Sequence, residues 1–142
     1  MKSVKQIVDA KGNDICFIQP DDTVFNAIKM MAEKEIGAIL VMEDEKLVGI
    51  LSERDYARKV ILKGKSSEQI PVKDIMTTNV LCARPEQTVE ECMALMTDKR
   101  IRHLPVLEGG RIQGMISIGD LVKDIIDEQK FMIEQLGHYI SG

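Results

Sequence analysis

The strongest constraint in this sequence is an internal repeat. When residues 15–56 are laid on residues 80–121 with a fixed offset of 65 and no gaps, eleven of the 42 positions are identical. Most other pairs in the apolar runs keep their apolar character. A shorter lead-in also repeats, because residues 4–7 match residues 72–75 with an offset of 68. A tandem duplication requires both copies to form the same elements in the same order.

The hydrophobic periodicity predicts helix, strand, helix, strand, strand and helix in each copy. In the first copy we assign the helices to residues 4–10, to a segment capped by Asp22 or Thr23, and to a segment from Ser52 to residue 62. The strands of that copy are residues 15–17, 37–42 and 47–51. In the second copy the elements after the lead-in are residues 80–82, 88–99, 103–107, 111–117 and a long helix from Ser117.

These elements divide the chain into repeat 1 at residues 1–63, a polar linker at 64–70, and repeat 2 at 71–142 with an extended C-terminal helix. A unit of about 60 residues buries little surface by itself. We therefore expect a mixed α/β (α+β) fold, in which the two repeats pack sheet to sheet about a pseudo-twofold axis and leave a cleft between them.

The same short motif, G-x-x-S-x-x-D, ends the last strand of each copy at residues 49–55 and 114–120. A serine and the free backbone N–H groups of a helix start can bind a phosphate or another anion. The aspartate can accept hydrogen bonds from a ribose diol. The alternative is that Asp55 and Asp120 only stabilise the helix dipole.

Composition and motifs exclude several classes of protein. The net charge of −4 gives no general attraction to nucleic acid or to an anionic membrane. No apolar run approaches the roughly 20 residues needed to cross a bilayer, and the N-terminus lacks the apolar core of a signal peptide. The three cysteines show no metal-ligand spacing. Without a span or a signal core, we expect a cytoplasmic location. No nucleotide-hydrolysing or nucleophile motif is present, so we expect a protein that is not an enzyme.

The repeated pattern resembles the cystathionine-β-synthase (CBS) domain, in the tandem pair called a Bateman module. Besides the two motifs, residues 101–106 (Ile-Arg-His-Leu-Pro-Val) are similar to a typical strand of that family, and residues 74–77 (Asp-Ile-Met-Thr) are similar to its lead-in. Because nothing else is appended, the chain looks like the small stand-alone CBS-pair proteins of bacteria. Such pairs bind AMP, ADP, ATP, NAD(H) or S-adenosylmethionine, and a regulatory sensor is the function that the resemblance implies.

The resemblance also implies roles for individual residues. Each motif would bind ribose through its aspartate (Asp55 or Asp120), phosphate through its serine (Ser52 or Ser117), and adenine or ribose through its apolar residue (Ile50 or Met115). Residues borrowed from the other repeat would be Ile36, Gly37, Asp14 and Cys16 for the Asp120 site, and Asn79, Leu81, Ile101 and Arg102 for the Asp55 site. We add Arg54 as a phosphate clamp, because arginine binds phosphate in a bidentate way, and His103 as a residue of the cleft.

The last helix carries an apolar stripe that is longer than one small repeat requires. Its members are Ile118, Leu121, Val122, Ile125, Gln129, Met132, Ile133, Leu136 and Ile140. This stripe indicates a helix–helix contact with another copy or another chain. We expect two pairs to associate through their helices as a homodimer.

Two other functions remain open from the sequence. One is a protein-interaction module with a vestigial cleft. The other is a nucleic-acid-associated regulator, whose basic patch would be Arg54, Arg58, Lys59, Lys63 and Lys65. The acidic balance argues against the second, and no sequence feature names the downstream protein.

Overall fold

The computed structural model describes residues 2–12 and 14–141, with side chains described through residue 138. Its elements alternate between helices and short strands, which makes the fold α+β. They are α1 (Val4–Lys11), β1 (Phe17–Ile18), α2 (Val24–Lys34), β2 (Ala38–Glu43), β3 (Lys46–Ser52), α3 (Glu53–Tyr56) continued by a π-helical turn (Ala57–Ile61), a 3-10 turn (Val72–Asp74), α4 (Val89–Lys99), β4 (His103–Glu108), β5 (Arg111–Ser117) and α5 (Ile118–Ser141).

The helices begin where the sequence predicts them. Thr23 caps α2 by accepting a hydrogen bond from the Asn26 N–H, and Thr88 caps α4 by accepting one from the Glu91 N–H. A threonine side chain can satisfy one of the backbone donors that every helix start leaves without an intrahelical partner. Of the two caps that the sequence left open for α2, Thr23 is the one used.

The strand predicted at residues 80–82 is wrong. In the first repeat β1 pairs in parallel with β2 through Phe17–Leu40 and Ile18–Val41. In the second repeat only the bridge from Ala83 to Val106 forms. Pro105 stands where the first repeat has Leu40, and proline has no N–H to donate to a neighbouring strand.

The second lead-in does not form a helix like α1. It makes a single 3-10 turn and then extends, because Thr77 exchanges both backbone hydrogen bonds with Ile50 at 3.0 and 2.9 Å. The two copies therefore differ most in their lead-ins, although these segments match in sequence.

The chain forms two compact units, and the lead-ins are exchanged between the repeats. One unit contains the described residues of 1–13 together with 82–108 and 113–142, and the other contains 14–81 and 109–112. Thus α1, from the first repeat, lies in the unit formed by the later elements of the second repeat. The 3-10 turn, from the second repeat, lies in the unit formed by the later elements of the first. These units do not coincide with the sequence intervals 1–63 and 71–142.

The backbone contacts of the exchanged lead-ins are equivalent in the two units. The Val4 N–H donates to the Gln87 carbonyl at 2.8 Å, and the Val72 N–H donates to the Asp22 carbonyl at 2.8 Å. The offsets of 68 and 65 found in the sequence relate the donors and the acceptors of these two bonds. Each lead-in is therefore bound to the other copy in the same way.

Each unit has its own apolar core, to which its lead-in contributes. In the first unit, Val4, Ile7 and Val8 of α1 are buried with residues of α4, β4, β5 and α5. In the second, Val72 and Ile75 are buried with residues of α2, β2 and β3. Since burial of apolar surface is the main stabilising term, each unit needs its lead-in to complete its core.

Candidate functional site

The first motif forms a capping box at the start of α3. The Asp55 N–H donates to Ser52 Oγ at 3.1 Å. In return, Asp55 Oδ2 accepts hydrogen bonds from the Ser52 N–H and the Ser52 hydroxyl, both at 3.0 Å. Ser52 and Asp55 thus hold each other in a defined orientation without a ligand, which satisfies two backbone donors.

The second motif repeats this arrangement at the start of α5. The Asp120 N–H donates to Ser117 Oγ at 3.2 Å, and the Ser117 N–H donates to Asp120 Oδ2 at 2.8 Å. The side chains of Asp55 and Asp120 are 17% and 25% exposed, so both aspartates keep some contact with solvent.

The exchanged lead-ins pack closely against the motif glycines. A Cβ at Gly49 would lie 2.6 Å from Met76 Sδ and 3.0 Å from the Thr77 carbonyl oxygen. A Cβ at Gly114 would lie 3.0 Å from Val8 Cγ1. Both spacings are too short for a real side chain without movement, so glycine at these positions admits the lead-in.

In both units a lysine ammonium joins the motif aspartate to the lead-in. In the first repeat, Lys59 Nζ lies 3.3 Å from Asp55 Oδ1 and donates to the Ile75 carbonyl at 2.9 Å. In the second, Lys11 Nζ donates to Asp120 Oδ2 at 2.8 Å and to the Met115 carbonyl at 3.0 Å.

The two lysines come from opposite sides of this link. Lys59 lies on the π-helical turn that continues the motif's own helix and reaches the lead-in. Lys11 is the last residue of α1, the helix that contains the other lead-in, and reaches the motif. With the offset of 65, the counterpart of Lys59 is Asp124, and with the offset of 68 the counterpart of Lys11 is Asn79. A lysine therefore links the motif to the lead-in in both units. In one unit this lysine follows the motif in sequence, and in the other it follows the lead-in.

The N-terminal segment has a second ionic contact with α5. Lys2 Nζ lies 3.1 Å from Asp124 Oδ1, and the Asp124 side chain is only 6% exposed. Because Lys11 and Lys2 lie near opposite ends of α1, these two contacts attach both ends of that helix to α5.

The surroundings of Asp120 favour its ionised form. Burial raises the pKa of Asp120, but the hydrogen bonds from Lys11 and Ser117 and the charge of Lys11 outweigh it, so the net pKa lies below its usual value. His103 is half-buried in the same unit. Burial lowers the pKa of His103, the positive charges of Lys11 and Arg102 lower it further, and Asp120 opposes them. An anionic aspartate and a neutral histidine are the forms that follow at neutral pH.

The sequence led us to expect free backbone N–H groups at each helix start. One of these N–H groups in each repeat already donates a hydrogen bond within its own repeat. The Glu53 N–H donates to the Gly37 carbonyl at 3.0 Å, and the Ile118 N–H donates to the Arg102 carbonyl at 2.9 Å. Gly37 and Arg102 are equivalent positions, so this contact belongs to the fold of both copies. The anion site predicted from free amides is therefore smaller than a bare helix start would provide.

The predicted site residues divide between the two units. In one unit lie Asp14, Cys16, Ile36, Gly37, Ile50, Ser52, Arg54, Asp55, Asn79 and Leu81. In the other lie Ile101, Arg102, His103, Met115, Ser117 and Asp120. Asn79 and Leu81 lie in the same unit as Asp55. The predicted borrowing of residues from the other repeat stays a prediction.

Sequence reasoning missed the capping boxes and both lysine links. The pattern S-x-x-D, close to the usual S-x-x-E box, could have indicated the capping boxes. Spacing could also have indicated Lys59, which lies four residues after Asp55 on the same helix. No local signal marks Lys11, because it lies 109 positions from Asp120.

Two kinds of site find no support in this structure. Over residues 2–12 and 14–141, no helix has the length and apolar character that crossing a membrane requires. Within the same ranges, no group of three or more histidine, cysteine or acidic residues is placed to hold a metal ion.

The comparisons with known proteins agree on one family. The CBS domain family matches the chain twice, at residues 4–62 and 72–127. The mitochondrial CBS domain-containing protein CBSX3 of Arabidopsis thaliana is 43% identical over 127 residues, which cover 86% of this chain and 62% of the plant protein. The chain thus spans less than two thirds of that relative.

Shorter relatives match over most of their length. The CBS domain-containing protein YhcV of Bacillus subtilis is 31% identical, over 85% of this chain and 84% of that protein. One solved structure is that of a Burkholderia ambifaria protein with CBS domains, which is described as a signal-transduction protein. It is 51% identical, has a TM-score of 0.87, and matches over 90% of this chain and 96% of that one. The chain therefore belongs to the CBS domain family and carries two copies of the domain.

Proposed function

We propose that this protein is a regulatory sensor that binds an adenosine-containing ligand, AMP, ADP, ATP or NAD(H), with S-adenosylmethionine as a further member of the class. CBS pairs are regulatory modules, which sets the general role. The motif aspartates, Asp55 and Asp120, would accept the ribose hydroxyls. The protein would act in the cytoplasm as a homodimer that signals to a downstream protein, without catalysis.

The observation that carries this proposal is the state of Asp120. Its carboxylate is partly exposed and is oriented by hydrogen bonds from Lys11 and from the Ser117 N–H to Oδ2. The bonds from Lys11 and Ser117 hold the pKa of Asp120 below its usual value. A carboxylate offers about four acceptor positions, so Oδ1 can receive a diol while the Oδ2 contacts remain. Such an oriented acceptor binds a ligand without first having to be ordered.

The two motifs offer different acceptors. The contacts of Asp55 involve both of its oxygens, because Ser52 bonds Oδ2 and Lys59 approaches Oδ1. We therefore expect the Asp120 site to bind ribose more tightly. Arg54 is exposed in the first turn after Ser52, where the second repeat has Gly119, so the Asp55 site should favour a phosphate or diphosphate.

The lysine links give the sensor a mechanism. A ligand on Asp120 would favour the carboxylate orientation that Lys11 also favours, so ligand binding and docking of α1 would stabilise each other. Such coupling is reciprocal by thermodynamic necessity. The ligand then shifts the population towards the state in which the lead-in is docked, and a downstream protein can read that state.

The test is calorimetric titration with AMP, ADP, ATP, NAD, NADH and S-adenosylmethionine, and with GTP as the control for the base. The decisive variants are Asp55→Glu and Asp120→Glu, because glutamate keeps the charge and completes a standard capping box. The longer side chain moves the carboxylate away from the ribose. We expect folding to survive and binding to weaken in these variants.

A ligand at about 100 times its Kd should add roughly 2.7 kcal/mol to the stability of the wild type. The proposal fails if no adenosine compound binds at millimolar concentration, or if both glutamate variants bind like the wild type.

A second function is favoured by one observation. The capping boxes give Ser52, Asp55, Ser117 and Asp120 a structural purpose that needs no ligand. A protein-interaction module without a ligand would therefore keep the same motif. It predicts no binding in the titrations, together with a loss of stability when the capping residues are replaced by alanine.

A further inference from the structure

Helix α5 exposes a row of large apolar side chains that continues into its C-terminal half. The CBS match ends at residue 127, whereas α5 continues to Ser141. Val122 is 40% exposed and Ile126 is 44% exposed, and the fractions rise to 67% for Ile133 and 60% for Leu136. Apolar side chains in a continuous exposed row usually mark an interaction surface.

The spacing of this row is that of a coiled coil. Val122, Ile126, Gln129, Ile133 and Leu136 follow one another at alternating steps of four and three, and Ile140 continues the spacing in the sequence. In heptad notation the isoleucines occupy position a, and Val122, Gln129 and Leu136 occupy position d. We call these positions the heptad stripe.

The residues at each position point to the kind of partner. In parallel coiled coils, isoleucine at a with leucine at d favours two strands, and Ile126 and Ile133 at a with Leu136 at d fit that choice. In such a pair each stripe residue faces its own copy, so the Gln129 amides of two chains can hydrogen-bond to each other in one register only. Another protein would need a matching stripe, whereas a second copy carries it already.

Charge does not oppose self-pairing. In a parallel pair the residues beside the seam, at e and g, approach each other across it. Here Ile125 and Met132 occupy g, and Lys123, Lys130 and Gly137 occupy e, so each lysine faces an apolar g position and no like charges face each other. The acidic side chains of Asp127, Glu128 and Glu134 lie at b and c, away from the seam.

We propose that the heptad stripe of α5 forms a parallel two-stranded coiled coil with a second copy of this chain. This contact lies largely beyond the CBS domains and sharpens the homodimer expected above. It does not depend on ligand binding, so the two proposals can fail separately.

The test compares Ile133→Lys with a control on the same helix. Phe131 is 61% exposed but occupies position f, outside the stripe, so Phe131→Ser removes a similar exposed apolar group without touching the seam. By sedimentation velocity across a concentration series, we expect a dimer for the wild type and for Phe131→Ser. Ile133→Lys should dimerise roughly 100-fold more weakly, because it buries a charge against its own copy. Circular dichroism checks that Ile133→Lys remains folded.

A cross-link tests the orientation. In a parallel pair the two copies of residue 136 face each other, so Leu136→Cys should form an intermolecular disulfide on mild oxidation, mapped by mass spectrometry to the introduced thiols. A monomeric wild type, an unchanged dimer in Ile133→Lys, or a dimer that does not cross-link at position 136 would each overturn the proposal.

Discussion

Lys11 Nζ donates a 2.8 Å hydrogen bond to Asp120 Oδ2, although the two residues lie 109 positions apart in the chain. Through this bond the lead-in of the first repeat reaches the motif of the second. Lys59 makes the corresponding link in the other unit, between Asp55 and the carbonyl of Ile75. In each unit a lysine therefore connects the motif aspartate to the lead-in that packs beside it.

The first prediction concerns the docking of α1. Lys11→Met removes the link to Asp120 and to the Met115 carbonyl while keeping the apolar stem. We expect a loss of about 1 kcal/mol in the free energy of unfolding, because the bond is charge-assisted but half-exposed. Chemical denaturation measures this loss. Lys5→Met, on the same helix but paired with the exposed Asp9, is the matched control and should change stability less.

The second prediction concerns acid stability. The pKa of Asp120 is lower in the folded state than in the unfolded chain, so between these two values the unfolded state binds more protons. The stabilisation is complete above the unfolded value, near pH 4, and is lost as the pH falls through the lower folded value. Asp120→Asn should remove this part of the dependence. Urea titrations between pH 3 and 7 measure the free energy of unfolding. If this free energy falls as steeply with acid in the variant as in the wild type, the assignment is contradicted.

The third prediction concerns His103 at milder pH. Burial and the charges of Lys11 and Arg102 lower its pKa in the folded state, so below about pH 6.5 the unfolded chain takes up a proton first. Stability contributed by neutral His103 is therefore present above that value and declines as the pH falls towards the folded value. Thermal unfolding at pH 7.5 and pH 5.5 should show a smaller decline for His103→Gln than for the wild type.

The fourth prediction concerns the motif glycines. Gly49→Ala should destabilise the protein by about 1–3 kcal/mol, because its Cβ would press on both Met76 and the Thr77 carbonyl. Gly114→Ala meets only the Val8 side chain and should cost less. Chemical denaturation gives the comparison.

Two further variants separate crowding from a general effect of alanine. Gly137 on α5 has open space where a Cβ would stand, so Gly137→Ala should not destabilise the protein. In the double variant Gly114→Ala with Val8→Ala, the loss of stability should be smaller than the sum of the two single losses, because the shorter side chain at position 8 makes room for the alanine. If the two losses simply add, Val8 is not the group that excludes a side chain at position 114.

Much of the fold could be predicted because its signals are local. The repeat established the order of elements, and the threonines that cap α2 and α4 marked where helices begin. The strand at residues 80–82 was mispredicted because an apolar run does not reveal its partner, and Pro105 on that partner prevents the ladder.

The site was only partly predictable for a related reason. The serine and aspartate of each motif lie three residues apart, so their meeting could be seen in the sequence. The exchange of lead-ins depends on tertiary packing, and the sequence alone assigned α1 to the first repeat. Lys11 therefore had no visible connection to Asp120 until the fold was known.

The measurement that tests the central claim most directly is amide hydrogen exchange in residues 4–11, with and without saturating adenosine ligand. If a ligand on Asp120 stabilises the docked lead-in, exchange in α1 should slow on binding in the wild type and much less in Lys11→Met. A ligand that binds, as calorimetry reports independently, and leaves exchange in α1 unchanged would contradict the coupling between the motif and the lead-in.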